Sequence, residues 1–149
     1  EARALAQSIK AEIILSDGTP GIGCPVISSL SGASLVCAVV EAGASGIADF
    51  KRLAELAKHF RLPMAVIINK ADLNPEQTEE ARQVALSAGA TVLGTLPFTS
   101  AFTAAMARGE AIGETPSKLD ATFEQFACRL REMVHARQRN RTIIPIKEI

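Results

Sequence analysis

The strongest constraint on the fold is an alternation. Four short apolar runs, "AEIILS" (strand proper 12–16), "SLVCAVV" (34–40), "MAVIIN" (64–69) and "ATVLGTL" (90–96), are separated by stretches of helical periodicity. The runs are continuously apolar rather than alternating, as in strands covered on both faces. Between them, 46–60 places Ile47, Phe50, Leu53, Ala54, Ala57 and Phe60 on one helical face. The stretch 74–89 carries its own punctuation: Asn74 to cap, Pro75 in the first turn, Glu76 at the positive end and Gly89 to stop it. A shorter helix is predicted over 99–110. A terminal helix is predicted over 117–137, with Leu119, Phe123, Phe126, Leu130, Met133 and Val134 packed across the domain. Strand and helix alternating through tight loops predict βαβ units: an α/β fold, a mostly parallel sheet with helices on both faces. No repeat, low-complexity segment or linker interrupts the pattern, so 1–149 reads as a single domain.

Composition narrows the function. Apolar residues make up 48% of the 149 and charged residues 21%, with zero net charge. That leaves no global field to attract nucleic acid or an anionic membrane. No apolar run approaches the roughly 20 residues of a bilayer span. The N-terminal "EARALAQSIK" is a polar helical pattern rather than a signal peptide, so a cytoplasmic location is expected. Arg129, Arg131, Arg137, Arg139 and Arg141 read as a solvated helix face. Cys24, Cys37 and Cys128 are widely spaced and form no CxxC. They predict no disulfide framework and a reducing compartment; Cys37 and Cys128 read as small core residues, Cys24 as a plain structural thiol. His59 and His135 read as surface residues, and no Ser–His–Asp or Cys–His arrangement is present.

In parallel sheets ligands sit beyond the carboxyl ends of the strands. Three of the four predicted strand ends carry unusual residues: Asp17 with "DGTPGIG", Glu41 with "EAGASG" and Asn69 with "NKAD"; the fourth gives "LPF" at 96–98. An NKxD segment between an apolar strand and a capped helix is the setting in which P-loop NTPases read a purine. The Asn amide offers donor and acceptor, the Lys stem covers the ring, and the Asp accepts hydrogens from guanine. A strand ending in Asp and followed by DxxPG matches the Walker B and switch II region of such enzymes. There a carboxylate reaches Mg²⁺, usually through water, and a glycine N–H senses a γ-phosphate. Asp17 and Gly21 are those candidates. Ser45 reads as the cap of the helix that begins near Gly46. The phosphate-cradling GxxxxGK[ST] loop, and its KGGxGK[ST] variant, do not occur.

Together these residues resemble a MinD/ParA/Mrp-type ATPase, closest to the branch with an inserted ferredoxin-like [4Fe–4S] segment, over roughly residues 1–115. The resemblance implies a P-loop NTPase-like fold missing its first P-loop strand, and the C-terminal portion of a MinD-like nucleotide-binding domain. It implies that Asp17 is the Mg²⁺-associated carboxylate, acting through water, with Pro20 and Gly21 in the switch II turn. Asn69, Lys70, Asp72 and Pro97 would line the nucleotide, with Asn69 on adenine and "LPF" passing the base. Where the family has Pro–Thr after the matching Glu, this chain has Ala42 and Gly43. The Asp of "NKAD" suits guanine; following the family toward ATP, Asp72 is expected to turn away as a loop cap. ATP and Mg²⁺ are expected in the intact protein and a [4Fe–4S] cluster in the upstream part, with none in this chain. The implied function is a nucleotide-driven switch, linked to iron–sulfur or redox chemistry and not catalytic alone. The alternative is a degenerate NTPase-fold scaffold; a non-nucleotide α/β domain would need clustered acids at a strand end, and only Asp17 qualifies. The absent P-loop strand predicts that "EIILS" is an unpaired edge, hence a homodimer or edge-strand self-association, with an unknown protein partner besides.

Overall fold

The computed structural model describes residue 8 and residues 10–11, 13–18, 24–112 and 117–141. In chain order these form α1 (Cys24–Gly32), β1 (Val36–Glu41), α2 (Ala44–His59), β2 (Met64–Asn69), α3 (Pro75–Ser87), β3 (Thr91–Thr95), α4 (Ser100–Ala107) and α5 (Asp120–Arg141). The strands make one parallel sheet in the order β1-β2-β3, so the α/β expectation holds.

Period-two alternation explains how the sheet is covered. On one face, Val36, Ala38 and Val40 of β1 join Met64, Val66 and Ile68 of β2. They pack against Val26 and Leu30 of α1, Ile47, Phe50, Ala54 and Ala57 of α2, and Ala81 and Ala85 of α3. On the other face, Ala65 and Ile67 of β2 and Leu93 of β3 meet Phe126 of α5, with Leu119, Phe123, Leu130 and Met133 around it. β2 is therefore buried from Met64 to Ile68, which is why its run is continuously apolar. Burying a side chain such as Ile68 contributes about 1.5–3 kcal/mol.

The helix boundaries follow from local chemistry. Asn74 caps α3, its side chain accepting from the Gln77 N–H at 3.0 Å, and Pro75 opens the first turn. Gly89 ends the segment at φ 76, the left-handed conformation in which glycine bears no steric cost. Thr99 caps α4. Ser117 opens α5: its hydroxyl and N–H donate to the Asp120 carboxylate at 2.7 and 2.9 Å and hold that acid below the usual carboxylate range.

Several expectations are corrected. The first apolar run is not a strand in its described residues: 13–18 are irregular and exposed, Leu15 at 91%. Among the described residues no strand lies beside that run to complete a hydrogen-bonded ladder, so apolar composition alone does not make it one. Among the described residues the sheet has three strands, with β1 at one edge and β3 at the other. Helix α1 was not anticipated; its signal is Val26 and Leu30, four apart and both buried. Ser45 is not the cap of α2. Gly43 holds that position without a side-chain bond, because the helix starts two residues earlier than the "ASG" pattern suggests. Cys37 and Cys128 are exposed rather than core. Cys37 points to the face of β1 that no described helix covers, and Cys128 lies on the outer side of α5. Two of the arginines read as solvated are staples: Arg129 donates to the Leu93 carbonyl at 2.6 Å and Arg137 to the Arg61 carbonyl at 3.0 Å. No helix among the described residues is long and apolar enough to cross a membrane.

Candidate functional site

The carboxyl end of the sheet is built by hydrogen bonds that continue where the ladder stops. The β1–β2 register ends with Glu41 opposite Asn69, and the Ala42 N–H still reaches the Asn69 carbonyl at 3.2 Å. Lys70 then turns the chain at φ 54, a conformation uncommon outside glycine. Two local contacts support it. The Lys70 N–H donates to Asn69 Oδ1 at 3.0 Å, and the Lys70 ammonium meets the Glu41 carboxylate at 2.8 Å. With side chains 35% and 58% exposed, that ion pair contributes at most about 1 kcal/mol. It ties the ends of two strands rather than lying free above a ring.

The same end is fastened to the segment after β3. The Leu96 N–H donates to the Ile68 carbonyl at 2.8 Å, and the Ala71 N–H to the Leu96 carbonyl at 3.0 Å. Asp72 Oδ1 accepts from the Phe98 N–H at 2.6 Å, a charge-assisted bond of the stronger kind. Thr78 of α3 donates its hydroxyl to the Ala71 carbonyl at 2.8 Å. Residues 70–73 and 96–98 are thus closed against each other, and Asn69, Lys70, Asp72 and Pro97 stand on one edge of the molecule.

The polar inventory of that edge is short. Asn69 has its oxygen engaged by Lys70, and its amide NH₂ has no hydrogen-bond partner among the described residues. Leu96 has both backbone groups in use, the Phe98 N–H belongs to Asp72, and Pro97 carries no N–H to offer. A side-chain donor from Asn69, the second carboxylate oxygen of Asp72 and the carbonyl of Pro97 stand beside these.

Asp17, the expected Mg²⁺-associated carboxylate, is described only in its own stretch of chain. It lies in the exposed stretch 13–18 and makes no ion pair or hydrogen bond among the described residues. Gly21 and Pro20 lie outside the described residues. Among the described residues no three His, Cys, Asp or Glu side chains gather as a metal site. A single carboxylate such as Asp17 suits Mg²⁺ only where phosphates and water supply the other ligands. A shallow groove between α2 and α3, lined by Lys51, Glu55, Glu80 and Gln83 among others, shares no residue with the strand-end edge.

Two features of the edge lie beyond the sequence pattern. Glu41 reads there as a strand end, and the signal for its ion pair with Lys70 is a pair of opposite charges 29 positions apart on neighbouring strands. Leu73 carries no signal of its own, because a large apolar residue before a helix cap normally reads as packing, whereas Phe98 belongs to the "LPF" segment singled out above.

No family model matches the chain, and no solved structure matches it. One stretch of 69 residues, 46% of the chain, is 36% identical to an uncharacterized protein of Methanocaldococcus jannaschii. That match spans 25% of the archaeal protein, and the relative's description names no activity.

Proposed function

We propose that the chain is the C-terminal portion of a MinD/ParA-like ATP-binding switch protein, contributing its switch II and base-binding segments. The observation that carries the reading is the Asp72–Phe98 bond. It commits an oxygen of the one side chain in "NKAD" that would select guanine, while the Asn69 amide keeps two free donors. A donor from Asn69 and a carbonyl acceptor from Pro97 match adenine, which has an acceptor at N7 and an amino group at position 6. Guanine carries an oxygen at position 6, which would face the carbonyl with no proton between them. In this reading Asn69 holds the base, Pro97 lines it, and Lys70 with Glu41 keeps the two strand ends in register.

ATP bound with Mg²⁺ supplies the phosphoryl group and its charge neutralisation; Asp17 would hold the ion through water and Gly21 would answer to the γ-phosphate. The phosphate cradle itself is not in this sequence, so hydrolysis belongs to an intact protein that carries one. The scaffold reading draws support from one observation: Asp17 is exposed and makes no hydrogen bond or ion pair among the described residues.

Calorimetric titration of the intact protein with Mg²⁺–ATP and Mg²⁺–GTP tests the proposal. Binding of ATP with little or none of GTP is expected, weakened by Asn69→Ala and made independent of Mg²⁺ by Asp17→Ala. Binding of GTP in preference to ATP overturns the adenine assignment. Binding of neither favours the scaffold.

A further inference from the structure

One face of β1 is left open. Cys37 and Val39 lie on the same side of the sheet as their register partners Ala65 and Ile67. Ala65 and Ile67 are buried with Phe126 of α5, whereas Cys37 and Val39 are exposed. Helix α5 also sets where the following chain is delivered. It runs against the strands: Arg129 donates to the Leu93 carbonyl within β3, and Arg137 to the Arg61 carbonyl ahead of β2. Two residues after Arg61, the Pro63 carbonyl accepts the Val36 N–H at the head of β1 at 3.0 Å. The chain therefore leaves α5 at the amino ends of β1 and β2, on the side that holds Cys37 and Val39. That corner carries an unmet hydrogen bond. The Arg137 Nε–H is shielded from solvent and has no partner among the described residues, an arrangement that costs free energy until an acceptor is supplied.

The sequence that follows is "TIIPIKEI", 142–149, which lies outside the described residues. Its apolar positions are Ile143, Ile144, Pro145, Ile146 and Ile149. Pro145 has no N–H for a helix ladder, and the residue before a proline is pushed to extended backbone, so the pattern predicts a chain that turns off the α5 axis rather than prolonging it. β-Branched residues suit packing on a pleated surface. The reach is sufficient. Eight extended residues span about 26 Å. Helix α5 travels about 6 Å from Arg137 to Arg141, and Val39 stands about 10 Å along β1 from Val36.

We infer that residues 142–149 form a strap that turns back from the end of α5 and lies along the open face of β1, its isoleucines on Cys37 and Val39 and one of its carbonyls on Arg137 Nε. The occupant belongs to the same chain. Its tether supplies a high local concentration and removes the association entropy that a separate molecule loses. The strap meets two side chains and orders eight residues, so it docks and opens within the folded state rather than locking it. The flank stays reachable to small reagents.

The test reads the strap through Cys37. In the full-length protein carrying Cys24→Ser and Cys128→Ser, iodoacetamide modification of Cys37 is timed in the parent, in a chain stopped after Arg141, in Ile144→Asp/Ile146→Asp and in Lys147→Ala/Glu148→Ala. The shortened chain and the aspartate pair are expected to react a few-fold faster than the parent, and the alanine pair at the parent rate. Circular dichroism shows whether each variant is folded; if the shortened chain is not, the aspartate pair carries the test alone. An unchanged Cys37 rate in the folded variants overturns the strap. Protection in the parent that grows with protein concentration overturns it too, since a second copy then covers β1. So does acceleration by Ile14→Asp/Leu15→Asp without acceleration by the strap variants, which would give the face to the first apolar run.

Discussion

The two flanks of the sheet are made of similar residues and end differently. On the β3 side, α5 lies over the strand. Phe126, 4% exposed, sits on Gly94, and Arg129 takes the Leu93 carbonyl where a bulge interrupts the β2–β3 register. On the β1 side, Val39 is 62% exposed although its register partner Ile67 is 8% exposed. Both are β-branched residues in the middle of a strand on the same sheet face. What differs is the neighbour: Ile67 lies under α5, and no described helix lies over Val39. A sealed flank carries stability; an open one leaves apolar area and strand edge for something else to cover.

The largest expected effect tests that contrast directly. Phe126→Ala should cost about 3–5 kcal/mol in chemical denaturation, because a buried aromatic is removed along with its edge-to-face contact with Phe123. Val39→Ala should stay within about 0.5 kcal/mol of wild type. Should the two losses be comparable, the β1 flank is covered in solution and the contrast collapses.

Next comes the glycine under the aromatic ring. A Cβ at Gly94 would stand 2.8 Å from Phe126 Cε1, closer than real side chains approach, and the ring is confined by the core around it. Gly94→Ala should therefore cost about 1–3 kcal/mol by overpacking. Combined with Phe126→Leu the penalty should shrink, and that non-additivity is the readout. Simple additivity would mean that the ring does not confine position 94.

How much of this was open to reading in the sequence depends on range. The second, third and fourth apolar runs became strands, and α3 kept its cap and stop, since "NPEQ" and Gly89 act within a few residues of themselves. The first run failed because a strand needs a partner, and apolarity says nothing about whether one is present. The same shortfall misplaced Cys37, which shares its strand with buried residues and its face with none. At the site, "NKAD" and "LPF" could be read as chemistry at neighbouring strand ends. The bond that joins them, Asp72 to Phe98, spans 26 positions and follows only from the parallel register. Helix α1 hid behind glycines and prolines whose punctuation resembled a loop.

Capping gives a smaller contrast between a cap that forms and one that does not. Asn74→Ala removes the acceptor for the Gln77 N–H and should cost about 1 kcal/mol. Ser45→Ala should be near neutral, for Ser45 lies inside α2 and caps nothing. An equal loss at both positions would restore Ser45 as the cap and shift the start of α2.

The smallest effect is a rate, and it returns to the open flank. Cys37 shares the uncovered face with Val39. Its side chain is exposed as a whole, yet partial burial pushes its thiol above the ordinary cysteine value. The raised value disfavours the thiolate in the folded state. The corresponding stability is present below the unfolded thiol's pKa and fades as pH rises through the folded one. Near pH 8 the folded protein therefore holds less thiolate at Cys37 than the unfolded chain, and iodoacetamide should modify it a few-fold more slowly in native protein than in urea, scored on the Cys37 peptide by mass spectrometry. The size of the slowing is what discriminates. A modest factor fits a desolvated but reachable sulfur on a bare sheet face. Complete protection would mean that a strand, helix or second copy lies over β1, and the Val39→Ala cost should then rise in the same preparation. Alkylation as fast as in urea would mean that Cys37 is not desolvated, and that the open face is wetter than its apolar side chains imply.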